Sequence, residues 1–242
     1  MTDGSKDRIL ITVFCFNEGP KIRTTLSRFP AGFPHDVVVM DDGSTDGALN
    51  GSLPLPCRVL RHESNRGIGA AIRTVYEYAL DGQYQAVVTV AGNDKDDPTQ
   101  IPLLLAPILD GTADLVQGSR YLPQGHFGNT PWQRVLATRH VHPWLFFLSS
   151  GRRMTDTTNG FRAVRTALLQ DNRIQWRQEW LARYELEPYL LWQAVALGYR
   201  VVEVPVSKVY PPRSLGYSKL PPITGWWSIV RPLVILRLGL KR

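Results

Sequence analysis

The first half of the chain alternates short apolar runs with amphipathic stretches, and the second half is less regular. Arg8 to Phe14 (RILITVF) predicts a buried strand, Glu18 to Phe29 a helix, and Asp36 to Met40 (DVVVM) a second strand ending in a carboxylate-rich turn. Cys57 to Leu60 predicts a third strand, Gly69 to Leu80 a helix, Gln85 to Val90 (QAVVTV) a fourth strand and Ala113 to Gln117 a fifth. Pro98 opens a helix through Ile108, because a proline in the first turn lacks only an N–H that would have no helical partner. Strands that feed helices imply parallel pairing with right-handed crossovers, hence an α/β sheet. Ligands of such sheets bind beyond the carboxyl ends of the strands. Those ends are Cys15 to Glu18, Asp41 to Asp46, Ala91 to Asp97 and Gly118 to Arg120, all polar or glycine-bearing.

In the second half, Trp132 to Phe147 predicts a helix interrupted near Pro143, and Tyr184 to Leu197 a helix ended by Gly198. Arg200 to Val206 (RVVEVPV) predicts a strand, placed at a sheet edge by Pro205, which has no N–H to donate. Pro211 to Leu220 predicts a loop, and Trp226 to Leu240 two short helical pieces hinged at Pro232. Without an internal repeat or a long linker, one domain is expected.

Composition adds exclusions. The chain has 242 residues, 43% hydrophobic and 20% charged, which excludes disorder, collagen-like repeats and a disulfide mini-protein. Cys15 and Cys57 form neither a disulfide framework nor a four-thiolate zinc site, and the five histidines lack metal spacing. No apolar h-region follows Met1, so a cytoplasmic setting is expected, and no uninterrupted apolar run reaches the roughly 20 residues that span a bilayer. The net charge of +7 is split unevenly: residues 1–121 carry 11 Lys/Arg against 15 Asp/Glu, and residues 122–242 carry 17 against 6. The basic residues are interleaved with Trp, Leu and Pro, and no nucleic-acid-binding motif accompanies them. Phosphorylated substrates or an anionic membrane surface fit better than nucleic acid.

The candidate chemistry lies at the strand ends. Asp41-Asp42-Gly43-Ser44-Thr45-Asp46-Gly47 delivers two carboxylates into a Gly/Ser turn, either as acceptors for a nucleobase or ribose or as an Asx-rich turn. Asn65-Arg66-Gly67-Ile68-Gly69-Ala70-Ala71 opens a helix whose N-terminus favours an anionic phosphate, with glycines that allow close backbone approach. A dinucleotide fingerprint would need glycine at position 72, where Ile72 stands, and would follow the first strand.

Together with Phe16-Asn17-Glu18, Asp96-Asp97-Pro98, GSRY (118–121), DTTNGFRA (156–163), EVPV (203–206) and RSLGYSK (213–219), these segments resemble, in register, the family 2 glycosyltransferases of GT-A fold. The branch resembled is that of dolichyl- and polyprenyl-phosphate mannosyl- or glucosyltransferases. The resemblance implies a catalytic domain over residues 1–221 and an amphipathic helical tail, possibly on a membrane surface, over 222–242. It also implies an inverting transfer of a sugar from a nucleoside diphosphate sugar to a polyprenyl phosphate, serving the cell envelope at the inner face of the membrane. A soluble acceptor, or a nucleotide-sugar-binding protein without catalysis, are the alternatives.

Residue by residue, the resemblance assigns Phe16, Asn17, Glu18, Asp41, Asp42, Arg66, Gly67, Gly92, Asn93, Arg213 and Lys219 to the donor, with Asp41 reading the base. Ser119, Arg120, Arg134 and Thr138 match the acceptor-phosphate clamp, where arginine grips phosphate oxygens with two parallel bonds. Asp156 is expected as base or orienter. Glu185 and Glu187 are two apart on a helix, so only one faces a common site, and Glu187 is preferred. Where relatives carry an Asp-x-Asp triplet for Mg²⁺ or Mn²⁺, this chain reads Ala91-Gly92-Asn93. A divalent cation held by Asn93 with Asp94 and Asp96 is expected, against the alternative that Lys95 neutralises the diphosphate itself. Trp226, Trp227, Ile229, Val230, Leu233, Val234, Ile235 and Leu238, edged by Arg231, Arg237, Lys241 and Arg242, predict a face for the lipid headgroup boundary.

Overall fold

A computed structural model describes residues 8–212, 214 and 224–241. In chain order the elements are β1 (Ile9–Cys15), α1 (Pro20–Ser27), β2 (Asp36–Asp41), β3 (Arg58–Arg61), α2 (Ile68–Asp81), β4 (Ala86–Ala91), α3 (Ile101–Leu109), β5 (Leu115–Ser119) and β6 (His126–Gly128). They continue with α4 (Trp132–Leu136), α5 (His142–Ser150), β7 (Arg162–Arg165), α6 (Thr166–Leu169), α7 (Leu186–Ala196), β8 (Val201–Pro205), β9 (Ser207–Val209) and α8 (Thr224–Arg237).

Alternation along the strands divides the core in two. Leu10, Val38, Met40 and Val87 meet α2, α7 and α8 on one face, while Ile11, Val13, Val37, Val39, Val88 and Val90 meet α1 and α3 on the other. The result is a helix–sheet–helix sandwich around a seven-stranded sheet of order β3-β2-β1-β4-β7-β5-β8. All pairings in it are parallel except those of β7, which runs antiparallel between β4 and β5. Its sequence, Arg162-Ala163-Val164-Arg165, is too short to signal a strand, and its arginines point to polar partners rather than to solvent. The strand ending at Pro205 does occupy the sheet edge, beside β5.

Two expectations about helix continuity need correction. The interruption between α4 and α5 is a π-type turn over Ala137–Val141, ahead of Pro143 rather than at it. Pro232 does not hinge the last helix: α8 runs through it. The cost of the missing hydrogen bond is offset by packing, because Pro232, Leu233 and Leu236 are buried where α8 lies against α5 and α7. Among the described residues no helix is long and apolar enough to cross a membrane.

Candidate active site

The carboxyl ends of β1 and β4 open onto a cavity of about 640 Å³, closed from the opposite side by α4, α7, β9 and α8. Phe16, Asn17, Glu18 and Lys21 form one wall, Asn65, Gly67 and Ile68 a second, and Asn93, Lys95, Arg134, Lys208 and Tyr210 a third. Arg183, Tyr184, Glu187, Trp226 and Ile229 complete the rim.

Local hydrogen bonding fixes the first two walls. Asn17, with φ at +49°, accepts from the Thr45 N–H at 2.8 Å, and its own N–H donates to the Ser44 hydroxyl at 2.9 Å. The loops after β1 and β2 are therefore one unit. Within it Asp41 is fully buried behind the cavity wall, its carboxylate accepting from the Ser44 N–H at 2.9 Å and from Arg61 at 2.6 Å.

Asp42 accounts for a correction at α2. The carboxylate accepts from the N–H groups of Arg66 at 3.0 Å and Gly67 at 2.8 Å, from Asn65 at 2.9 Å, and pairs with His62 at 2.7 Å. The anion at the start of α2 is thus supplied by the protein. Its glycines approach the neighbouring backbone rather than a ligand: a Cβ on Gly69 would stand 1.9 Å from the Leu181 carbonyl oxygen, and Gly67, at φ +96°, abuts the Ala182 carbonyl. Gly67 still lines the cavity, whereas Arg66 does not.

The segment after β4 decides the question of the cation. Gly92 is needed because a Cβ there would lie 2.6 Å from the Phe14 carbonyl oxygen. Asp94, at φ +61°, turns its carboxylate to Arg28 at 3.1 Å. Asp96 is buried, accepts from the Ala91 N–H at 2.9 Å and forms an ion pair with Lys208. Asp97 caps the following turn through the Thr99 N–H at 3.1 Å. Only Asn93 of the expected ligands lines the cavity, with a buried amide oxygen that accepts no hydrogen bond. The expected set of Asn93, Asp94 and Asp96 is therefore not assembled, and among the described residues no group of three His, Cys, Asp or Glu side chains is placed to hold a metal. One neutral amide oxygen does not make a site for a hard divalent cation.

Cations take that wall instead. The Lys95 ammonium lies 4.1 Å from the centre of the Tyr210 ring, and Arg134 donates to the Tyr210 hydroxyl at 3.1 Å. Burial, followed by the neighbouring charges of Lys208 and Arg134, lowers the pKa of Lys95 to about 7. Arg120 also lines the cavity, where it forms a buried bidentate pair with Asp156 at 2.6 and 2.8 Å and donates to Thr158 at 2.9 Å. Burial works against the Arg120 charge, but Asp156 more than compensates and holds the guanidinium protonated. Asp156 does not itself line the cavity. Ser119 is also buried, its hydroxyl 2.6 Å from that of Thr155. Thr138, in the π-type turn, lines the cavity while sharing a 2.6 Å hydrogen bond with Tyr121.

Glu187 and Glu185 point apart. Glu187 reaches the cavity 3.5 Å from Arg162, while Glu185 accepts from Arg231 of α8 at 2.6 Å. Arg231 thus belongs to the interior contact of α8 and not to an outer basic edge. Glu203 accepts from the N–H groups of Thr155 and Asp156 at 2.8 and 2.9 Å. Arg213, Lys219 and the remainder of the 215–223 tract lie outside the described residues. Lys21, Arg162, Arg183, Lys208 and Tyr210 were absent from the site assignments. The alternation Lys208-Val209-Tyr210 was the one local signal, placing Lys208 and Tyr210 on the same side of a strand-like segment.

Comparisons with known proteins agree on the kind of molecule. Residues 10–172 match the family described as Glycosyl transferase family 2. The chain is 32% identical to the polyprenol monophosphomannose synthase of Mycolicibacterium smegmatis, covering 88% of this chain and 81% of that one. It is 30% identical to the undecaprenyl-phosphate mannosyltransferase of Micrococcus luteus, covering 88% and 87%. Its fold is like that of glucosyl-3-phosphoglycerate synthase from Mycobacterium tuberculosis, solved with Mn²⁺, UDP and phosphoglyceric acid: TM-score 0.69 at 18% identity, over 99% of this chain and 82% of that one.

Proposed function

The chain belongs to glycosyl transferase family 2 and is a glycosyltransferase of GT-A fold; on that premise we propose that it transfers a hexosyl group, with inversion, from a nucleoside diphosphate sugar to a polyprenyl phosphate at a membrane surface. The observation that carries this reading is a single cavity in which the loops after β1 and β2 meet a wall of cations, with α8 as its rim. Two phosphorylated substrates need such a wall, and the names of both relatives fit a lipid phosphate acceptor.

In this reading a phosphate oxygen of the acceptor attacks the anomeric carbon. The bond from that carbon to the donor diphosphate breaks, and its electron pair leaves with the diphosphate. A phosphate monoester is already anionic near neutral pH, so no strong base is required. Glu187, steadied by Arg162, lines the cavity and orients or stabilises the reacting centre. Asp156 acts through Arg120, fixing its guanidinium beside the acceptor phosphate. Phe16, Asn17, Glu18 and Gly67 receive the nucleoside, and Lys95, Arg134 and Lys208 meet the growing negative charge.

The membrane side in this reading is built from the exposed apolar residues of α4, α5, α8 and the segments at their ends: Trp132, Leu136, Val141, Trp144, Leu148, Trp227, Val234 and Leu238. Exposed Arg139, Arg152, Arg153, Arg237 and Lys241 lie on the same helices or next to their ends. Trp and Leu with basic neighbours suit a headgroup boundary, and Trp226 and Ile229 join that face to the cavity. The test is incubation of the purified protein with a panel of nucleoside diphosphate sugars and prenyl phosphates, with detection of glycosylated lipid. Product with at least one donor is expected; none with any donor, or product only with soluble acceptors, overturns the reading.

A further inference from the structure

We propose that Tyr210 is a positioning residue for the transfer: its hydroxyl fixes the Arg134 guanidinium on the cavity wall, where that arginine meets the charge growing on the donor diphosphate. The inference rests on the reading of the donor as a nucleoside diphosphate sugar.

The anchor is rigid. Tyr210 directly follows β9, which pairs in parallel with β6, Val209 standing opposite Gly128. The Tyr210 N–H donates to the Gly128 carbonyl at 3.0 Å, its carbonyl accepts from the Asn129 side-chain amide at 3.0 Å, and only 4% of the residue is exposed. A buried tyrosine held at both backbone groups has little freedom to move its hydroxyl. The arginine is held at its other end, because the Thr138 hydroxyl donates to the Arg134 carbonyl at 2.8 Å where α4 continues into the π-type turn. Between these two ends lies a long stem with many rotamers. The 3.1 Å hydrogen bond from Arg134 to the Tyr210 hydroxyl selects among them, and both residues line the cavity. Ordering the guanidinium beforehand removes a cost otherwise met as the transition state forms.

The chemistry of the anchor also matters. Arg120 is paired with Asp156 and Lys208 with Asp96, partners that oppose the charge they hold. A tyrosine hydroxyl accepts a hydrogen bond without bringing a negative charge, so it directs the guanidinium without opposing it. The same ring carries the Lys95 ammonium at 4.1 Å, a cation on which the carboxylates of Glu18 and Asp96 also act. Tyr210 thus ties two cavity-lining cations, one from α4 and one from the loop after β4, to the end of β9.

Steady-state kinetics of the full chain and its variants, with the nucleoside diphosphate sugar and prenyl phosphate that support transfer, test this. Tyr210→Phe removes the hydroxyl and keeps the ring, so the contact with Lys95 survives. It is expected to lower kcat by about tenfold, the loss associated with one hydrogen bond to a charged group, while the KM of each substrate stays within about threefold, because the charge that Arg134 meets is largest in the transition state. Its thermal unfolding midpoint is expected to move by less than about 4 °C. Arg134→Gln is expected to lower kcat at least as far. Adding Tyr210→Phe to Arg134→Gln is expected to change kcat by no more than about twofold, since a residue that acts through Arg134 then has nothing to position. An unchanged kcat in Tyr210→Phe would overturn the inference and leave the transferase reading standing. So would the same loss repeated in the Arg134→Gln background, which marks an effect that does not pass through Arg134. No transfer by the natural sequence with any pair of substrates overturns the reading of function and the inference with it.

Discussion

Asp41 and Asp42 show how much a residue's role depends on distance. In the sequence both are carboxylates offered to a substrate; in the fold one closes a turn and the other neutralises the start of α2. Asp156 and Glu187 separate in the same way, one consumed by Arg120 inside the protein and one facing the cavity. Substitution should divide them. Asp156→Ala leaves a buried guanidinium uncompensated and is expected to cost about 3–5 kcal/mol in denaturant-unfolding free energy. Glu187→Gln is expected to leave unfolding within about 1 kcal/mol of the natural protein while lowering kcat by roughly a hundredfold or more. Equal stability losses for the two would contradict the assignment. The preference for Glu187 over Glu185 was open to sequence spacing only as an either/or, because helical periodicity separates two faces without saying which one meets the cavity.

At the scale of elements, β1, β2, β4, α2 and α7 were legible because their apolar residues form continuous runs or a helical period and turn residues such as glycine and aspartate flank them. β7 was not, since four residues flanked by arginines carry no period, and its place is set by pairing with β4 and β5. The continuity of α8 through Pro232 was equally hidden, because the compensation comes from α5 and α7. One contact there titrates. His142 of α5 is buried, pairs with Thr157 at 2.6 Å, and its other ring nitrogen lies 3.4 Å from the Ile229 carbonyl of α8. Burial lowers its pKa to about 4 from an ordinary 6.5. Its folded-state pKa lies below the unfolded one, so its stabilising contribution is complete above about pH 6.5 and is lost as pH falls toward 4. The loss approaches about 3 kcal/mol at its limit. His142→Gln is expected to flatten the fall in unfolding free energy between those pH values; an unchanged slope would remove His142 as its source.

For the whole molecule, the uneven charge of the two halves acquires a spatial meaning. The acidic half contributes the loops after β1, β2 and β4, and the basic half contributes Arg120's neighbours, Arg134, Arg162, Arg183 and Lys208 across the cavity. The exposed aromatic and basic face of α4, α5 and α8 predicts binding to vesicles containing anionic lipid that declines with salt. Trp132→Ala with Trp144→Ala is expected to reduce co-sedimentation with such vesicles by roughly tenfold, because each removes a large apolar side chain from the interface. Transfer to a short, water-soluble prenyl phosphate should persist in that variant. Retained sedimentation would place the contact elsewhere.

The sequence by itself determined the α/β class, the main strands, the motif order and the edge position of β8, since each follows from local periodicity or from proline and glycine stereochemistry. It also directed attention to the strand ends, where topology leaves loops free to carry polar groups and where the cavity opens. Only the tertiary structure decided which partners the charged groups have and which of them line the cavity. Asp41, Asp94, Asp96 and Asp156 are engaged by partners 3 to 112 positions away and lie off the cavity, whereas Asp42, Lys95 and Glu187 line it. Ion pairing depends on separations of a few ångströms between distant parts of the chain, and no local pattern of residues encodes them.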